Sequence, residues 1–126
     1  MEARKTATLI DRLNTRHGQL LITLRHLGQE QREVERNTDW LDQAAYESRA
    51  QLLDRLHRWY HTEMAQIERA FERVKSQRYG LCLACHAAID PERLESAPEV
   101  EFCGACQAAR EALASSTKTN QLTAEG

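Results

Sequence analysis

A mainly α-helical fold, an antiparallel two-helix coiled-coil hairpin with a small four-cysteine knob and a short C-terminal helix, follows from three features of the sequence. Two long segments carry apolar residues at alternating spacings of three and four. The stretch that joins them is short and polar. Two C-x-x-C pairs then fall close together after the second segment.

In the first arm Ile10, Leu13, His17, Leu20, Leu24, Leu27, Gln31 and Val34 form a heptad seam with two polar insertions. A polar residue on such a seam more often sets register than binds a ligand. Gly18 and Gly28 each cost about 1 kcal/mol of helix propensity relative to alanine, so this arm needs a partner. The second arm offers one in Leu53, Leu56, Tyr60, Met64, Ile67, Phe71 and Val74. The longer step from Tyr60 to Met64 is a stutter in the heptad. Between the seams, in "ERNTDWLDQAAYES", Asn37 and Thr38 read as stop and cap signals.

A short connection between two seamed helices implies an antiparallel hairpin. Arms of about 35 residues would be roughly 50 Å long. The expected organisation is a hairpin over 1–77 with its tip near 37–44, then a knob and helix over 78–115. The polar stretch 116–126 is expected to be a disordered tail. Pro91 and Pro98 shape the loop between the cysteine pairs. "GACQAAREALAS", Gly104 to about Ser115, is alanine-rich and reads as the short helix.

The cysteines carry the chemistry. Read alone, "CLACH" (Cys82 to His86) is the attachment signature of a c-type haem. With "CGAC" (Cys103 to Cys106) the pattern becomes C-x2-C-x17-C-x2-C, within the range of a four-cysteine zinc site. Zinc takes four soft ligands in a tetrahedron, and two such pairs supply them. The expectation is one Zn2+ per chain on Cys82, Cys85, Cys103 and Cys106. Haem attachment leaves Cys103 and Cys106 without a purpose; a dithiol redox switch is the other alternative. His86 is then a bystander, at a position where such knuckles often need a left-handed backbone.

Other classes are disfavoured. The net charge of −2 offers no general attraction to nucleic acid. "MEARKTATLIDRLNTR" has no apolar core of a signal peptide, and no apolar run approaches a membrane span. A cytoplasmic location is expected, where paired thiols are more often metal ligands or redox groups than disulfides. No nucleophile–base set is recognisable, so no enzymatic activity is expected. His26, His57 and His61 read as solvated, and the charged residues of both arms as exposed helix pairs.

Two motifs together resemble the DksA/TraR family of bacterial RNA polymerase regulators. "YGLCLACHAAIDPERLESAPEVEFCGAC" is similar to that family's zinc segment in its spacing, its "RLE" and its prolines. Asp39-x-x-Asp42-x-Ala44 is similar to the D-x-x-D-x-A motif at the family's coiled-coil tip, and the separation of the two motifs fits without a gap. The resemblance covers about residues 1 to 115. It implies a monomer whose tip enters the polymerase secondary channel, near the catalytic centre, and alters open-complex lifetime without specific DNA binding. Asp39, Asp42 and Ala44 would be the working residues, with Trp40 and Leu41 as further contacts and Arg55 and Arg58 near the channel rim. From the residues alone, Asp39 and Asp42 read first as first-turn carboxylates that meet the helix dipole, and Trp40 as a plug at the end of the seam; the resemblance is what makes the tip role the leading one.

The chain also departs from the family pattern. It begins almost at the first arm, where longer members carry a preceding helical segment. Gln66, Ala97 and Gln107 stand where such members use basic side chains to bind ppGpp. An amide or a methyl is a poor substitute for a cation. Weak or absent ppGpp binding is therefore expected, unless Arg69 or Arg93 compensates. A thiol redox adaptor that releases zinc on oxidation is an alternative function. A Gre-type transcript-cleavage factor is another, although no β-rich C-terminal domain is evident.

Overall fold

The two seams do pair. In the computed structural model, which describes residues 3–36 and 42–125, with side chains through 115, α1 spans Ala3–Arg36 and α2 spans Gln43–Lys75. Their 34 and 33 residues make arms of about 50 Å. Arg16 of α1 grips the Glu63 carboxylate with Nε and Nη2, the second contact at 2.9 Å, while Glu30 pairs with Arg49. Later residues of α1 thus meet earlier residues of α2, and the pair is antiparallel.

The seam residues form the core. Leu13 and Leu20 bury against Met64, Ile67 and Ala70, flanked by Leu24, Tyr60 and Phe71. Leu27 and Leu53 are buried nearer the tip. Full burial of each large aliphatic side chain is worth roughly 1.5–3 kcal/mol, which outweighs the two helix glycines. His17 lies half-buried on the seam, its ring edge-on to Phe71 at 5.7 Å and its Nε2 3.6 Å from Glu68. At the start of α1 the buried residue is Leu9 rather than Ile10, because the knob covers that side and draws Leu9 into a second cluster with Cys82, Ile89 and Leu94. Tyr79 packs against both clusters.

Three boundaries differ from expectation. Thr38, the expected cap, lies with Asn37 outside the described residues, and α2 begins at Gln43 with Asp42 as N-cap. The extended Asp42 backbone ends the helix there, and its carboxylate accepts the Ala45 N–H. Within the inter-cysteine loop stands a short helix, α3 (Pro91–Ser96). Asp90 caps it by accepting the Glu92 N–H at 3.0 Å, and Pro91 fills the first turn, where no amide donor is needed. The last helix, α4 (Gly104–Glu125), runs past the expected end near Ser115, since neither Gly nor Pro interrupts the sequence before Gly126.

Helix α2 closes with a left-handed residue. Gln77 has φ 62°, the Gln77 N–H donates to Val74 O and the Arg78 N–H to Arg73 O. This 6→1 and 5→2 pair is a Schellman cap, and it turns the chain into the knob. His57 departs from the solvated reading: it is half-buried and stacked on His61 at 4.8 Å, and its Nδ1 has no partner among the described residues. No helix of the described residues is long and apolar enough to cross a membrane.

Candidate metal centre and hairpin tip

The first cysteine pair sits on a tight reversal. Leu81 and Ala88 form one antiparallel bridge, the Cys82 N–H donates to Ala87 O at 2.8 Å, and the His86 N–H donates to Cys82 O at 3.0 Å. The reversal requires positive φ at His86 (63°), as the spacing predicts, and at Gly80 (87°). The second pair opens α4: the Gln107 N–H donates to Cys103 O at 2.9 Å, which places Cys106 in the first helical turn. A bond from the Leu83 N–H to Glu101 O ties the two pairs together.

All four Sγ atoms lie within 4.8 Å of one another, with Cys85 and Cys103 at 3.8 Å. Cys82 is buried, Cys85 exposed, and Cys103 and Cys106 half-buried. Burial pushes the Cys82 thiol up, but backbone N–H groups of Cys85, Cys103 and Ala84 outweigh it and bring it down to about 6. Contacts with the sulfurs of Cys103, Cys82 and Cys85 push Cys106 up to about 12. Backbone donors thus favour the thiolate at Cys82, while the crowding of sulfurs around Cys106 is the kind that a bound cation relieves. A compact all-thiolate set of four fits a C4 zinc finger binding one metal.

The knob is pinned to the rod along residues 95–102. Arg12 donates to Glu95 O and Arg73 to Val100 O at 3.2 Å, while within the knob Tyr79 donates to Pro98 O at 2.9 Å and Arg93 to Phe102 O at 3.0 Å. Arg69 forms a two-pronged pair with Glu101, closest at 2.6 Å, and Arg110 lies 4.3 Å from the centre of the Phe102 ring. Arg73 is buried, with Nε and Nη1 unpartnered among the described residues. Its spacing gave no warning, since an arginine near the end of a helix reads as a surface residue.

Gln66, Ala97 and Gln107 do converge. They line one cleft of about 700 Å³ that also contains Arg69, Arg93 and Arg110, together with Glu99, Glu101 and Glu111. The two arginines expected to compensate are engaged, Arg69 by Glu101 and Arg93 by a carbonyl.

At the tip, the Asp42 carboxylate is exposed and accepts the Ala45 N–H at 2.8 Å, and Ala44 is exposed in the first turn. Asp39, Trp40 and Leu41 lie outside the described residues. The indole of Trp59, midway along α2, is 71% exposed, a feature the seam analysis passed over because Trp59 lies off the seam.

Comparison with known proteins bears on both regions. Residues 77–112 match the prokaryotic dksA/traR C4-type zinc finger. Among solved structures, transcription factor DksA2 from Pseudomonas aeruginosa is similar with a TM-score of 0.78 and 25% identity, over 88% of this chain and 86% of that one. An uncharacterized protein of Aquifex aeolicus (strain VF5) is 30% identical over 84 residues. That match takes in 67% of this chain and 56% of the relative, so the chain spans little more than half of the relative's length.

Proposed function

This chain belongs to the DksA/TraR C4 zinc-finger family, a family of transcription factors rather than enzymes, and we propose that it regulates transcription by binding RNA polymerase directly. The observation that carries the reading is the shared architecture with a transcription factor over most of both chains. The rod enters the secondary channel tip first and changes open-complex lifetime, without specific contacts to DNA. Asp39, Asp42 and Ala44 act at the tip, with Trp40 and Leu41 beside them. An exposed Asp42 at the end of an arm of about 50 Å supports that role.

One zinc ion held by Cys82, Cys85, Cys103 and Cys106 cross-links the knob; four thiolates leave no open position for a substrate. The nearness of the four sulfurs supports this assignment. The test of function uses purified chain, core polymerase and a ribosomal promoter. Shortened open complexes are expected, and binding with no change in lifetime at saturation would defeat the reading.

ppGpp does not act through the cleft of Gln66, Ala97 and Gln107. An anionic nucleotide needs charge-assisted hydrogen bonds of roughly 1.5–3 kcal/mol each. Here two of the cleft arginines are already engaged and three glutamates face the same space. With polymerase disabled at its own ppGpp site, promoter output should stay flat as ppGpp rises. A strong dose-dependent response in that background would restore the cleft as a nucleotide site.

A further inference from the structure

His57 and His61 stand one turn apart on α2, and their rings stack with centroids 4.8 Å apart and planes 16° from parallel. Residues at this spacing share one face of a helix, so both imidazoles reach the same side of the rod. His61 is exposed, whereas His57 is half-buried and its Nδ1 has no hydrogen-bond partner among the described residues. Buried polar atoms are nearly always paired, so this nitrogen calls for an explanation. Stacking satisfies ring faces, not lone pairs or N–H groups.

A neutral imidazole keeps one nitrogen with a free lone pair. Two histidines at i, i+4 on a helix are therefore a chelating pair. Cations such as Zn2+, Ni2+ and Cu2+ suit imidazole ligands, whereas Mg2+ and Ca2+ prefer oxygen. The nearest positive charge in the helical register, Arg58, is held by Asp54 at 2.7 Å, which offsets its repulsion of an incoming ion. Among the described residues the cysteine cluster is the only set of three or more ligating side chains. The histidine pair thus supplies two ligands, leaves the remaining positions to water, and binds far more weakly than four thiolates.

We propose that His57 and His61 form a second metal site, an exchangeable one for a divalent ion of the zinc type, clipped across one turn of α2. Rotation of the two rings about their side-chain bonds brings His57 Nδ1 and a nitrogen of His61 to one ion, at about 2.0–2.1 Å from it. Binding exchanges a stack with an orphaned nitrogen for a cross-link between consecutive turns. The site uses none of the cysteines, and it stands whether or not the chain binds polymerase.

The test uses full-length, tag-free chain with its cysteine centre already zinc-loaded, and adds further Zn2+ as the probe. Calorimetry should show one additional ion per chain, with affinity in the micromolar range. His57→Gln and His61→Gln should each weaken its binding at least about tenfold. Glutamine is a good helix former, so both variants should fold. His26→Gln, which removes an exposed histidine of α1, should bind as the parent does. Because the chelating face exists only in the helix, the parent's melting temperature should rise with Zn2+ beyond the first equivalent. Neither variant at the pair should respond to that excess. Imidazole resonances of His57 and His61 should shift on addition, and those of His17 should not. Absence of an additional ion, or one that persists in both variants, would overturn the site and leave the stack as packing alone. An additional ion lost in His26→Gln would place binding elsewhere and overturn it too.

Discussion

At Asp42 the carboxylate that the tip motif would present to polymerase is also the acceptor for the Ala45 N–H. Asparagine keeps an oxygen acceptor and is as good an N-cap, whereas alanine loses the cap at a cost of about 1 kcal/mol. Asp42→Asn should therefore melt like the parent and bind polymerase, yet lose its effect on open-complex lifetime. Asp42→Ala should lose both the effect and some thermal stability. If Asp42→Asn regulates normally, capping is the whole role of this side chain. Tyr79 offers a second test at this scale, since burial pushes its phenol up to about 12 while it donates to Pro98 O. The folded state holds this proton more tightly than the unfolded chain, whose tyrosine titrates near about 10. Its stabilisation is complete below pH ~10 and is lost as pH rises toward ~12. Tyr79→Phe should cost about 1 kcal/mol at neutral pH. Urea midpoints at pH 7, 9 and 11 should show the gap between parent and variant narrowing only at the highest pH, and a gap that is constant throughout would contradict the linkage.

At the scale of elements, α1 carries a removable weakness. A Cβ added at Gly18 meets nothing within 4 Å, and one at Gly28 meets only Arg32 Nη1 at 3.6 Å. Neither glycine has positive φ. Gly18→Ala and Gly28→Ala should each stabilise the hairpin by up to about 1 kcal/mol, additively because the sites are far apart. Thermal melts check this; a lower melting temperature for either variant would mean that the glycine serves packing after all. The other helices show where local signals were present but under-read. Asp90 followed by Pro91 is a helix start in sequence, yet two prolines in a short stretch suggested only a loop. Asp42 caps α2, although Thr38 had the better position for a connection of minimal length.

The whole molecule is a rod and a knob with separate cores that share Tyr79. Because the larger cluster contains no cysteine, removal of zinc should loosen the knob before the rod. With a strong chelator, or in Cys103→Ser, far-UV helicity should largely persist while amide protection falls first across residues 78–106. Complete loss of helicity on chelation would show that the rod depends on the metal. The link through Tyr79 predicts that the disturbance spreads to the adjacent end of the seam around Ala70 and Phe71, and fades toward Leu27 and Leu53.

What the sequence by itself determined about this protein is whatever depends on local spacing. Heptad steps specify two long arms and their apolar faces, a short polar stretch makes those arms antiparallel, and two C-x-x-C pairs bring four thiols to one point. His86 could be read as left-handed because a knuckle turn requires it. What only the tertiary structure decided depends on where the knob lies against α2, a matter of contacts between residues far apart in the chain. That placement buries Leu9 in place of Ile10, encloses Arg73, commits Arg69 to Glu101, and gathers Gln66, Ala97 and Gln107 into one cleft. It also leaves Trp59 open beside Arg55, since the covering segment ends before it reaches them. No periodicity along a single helix encodes where another part of the chain stops covering it.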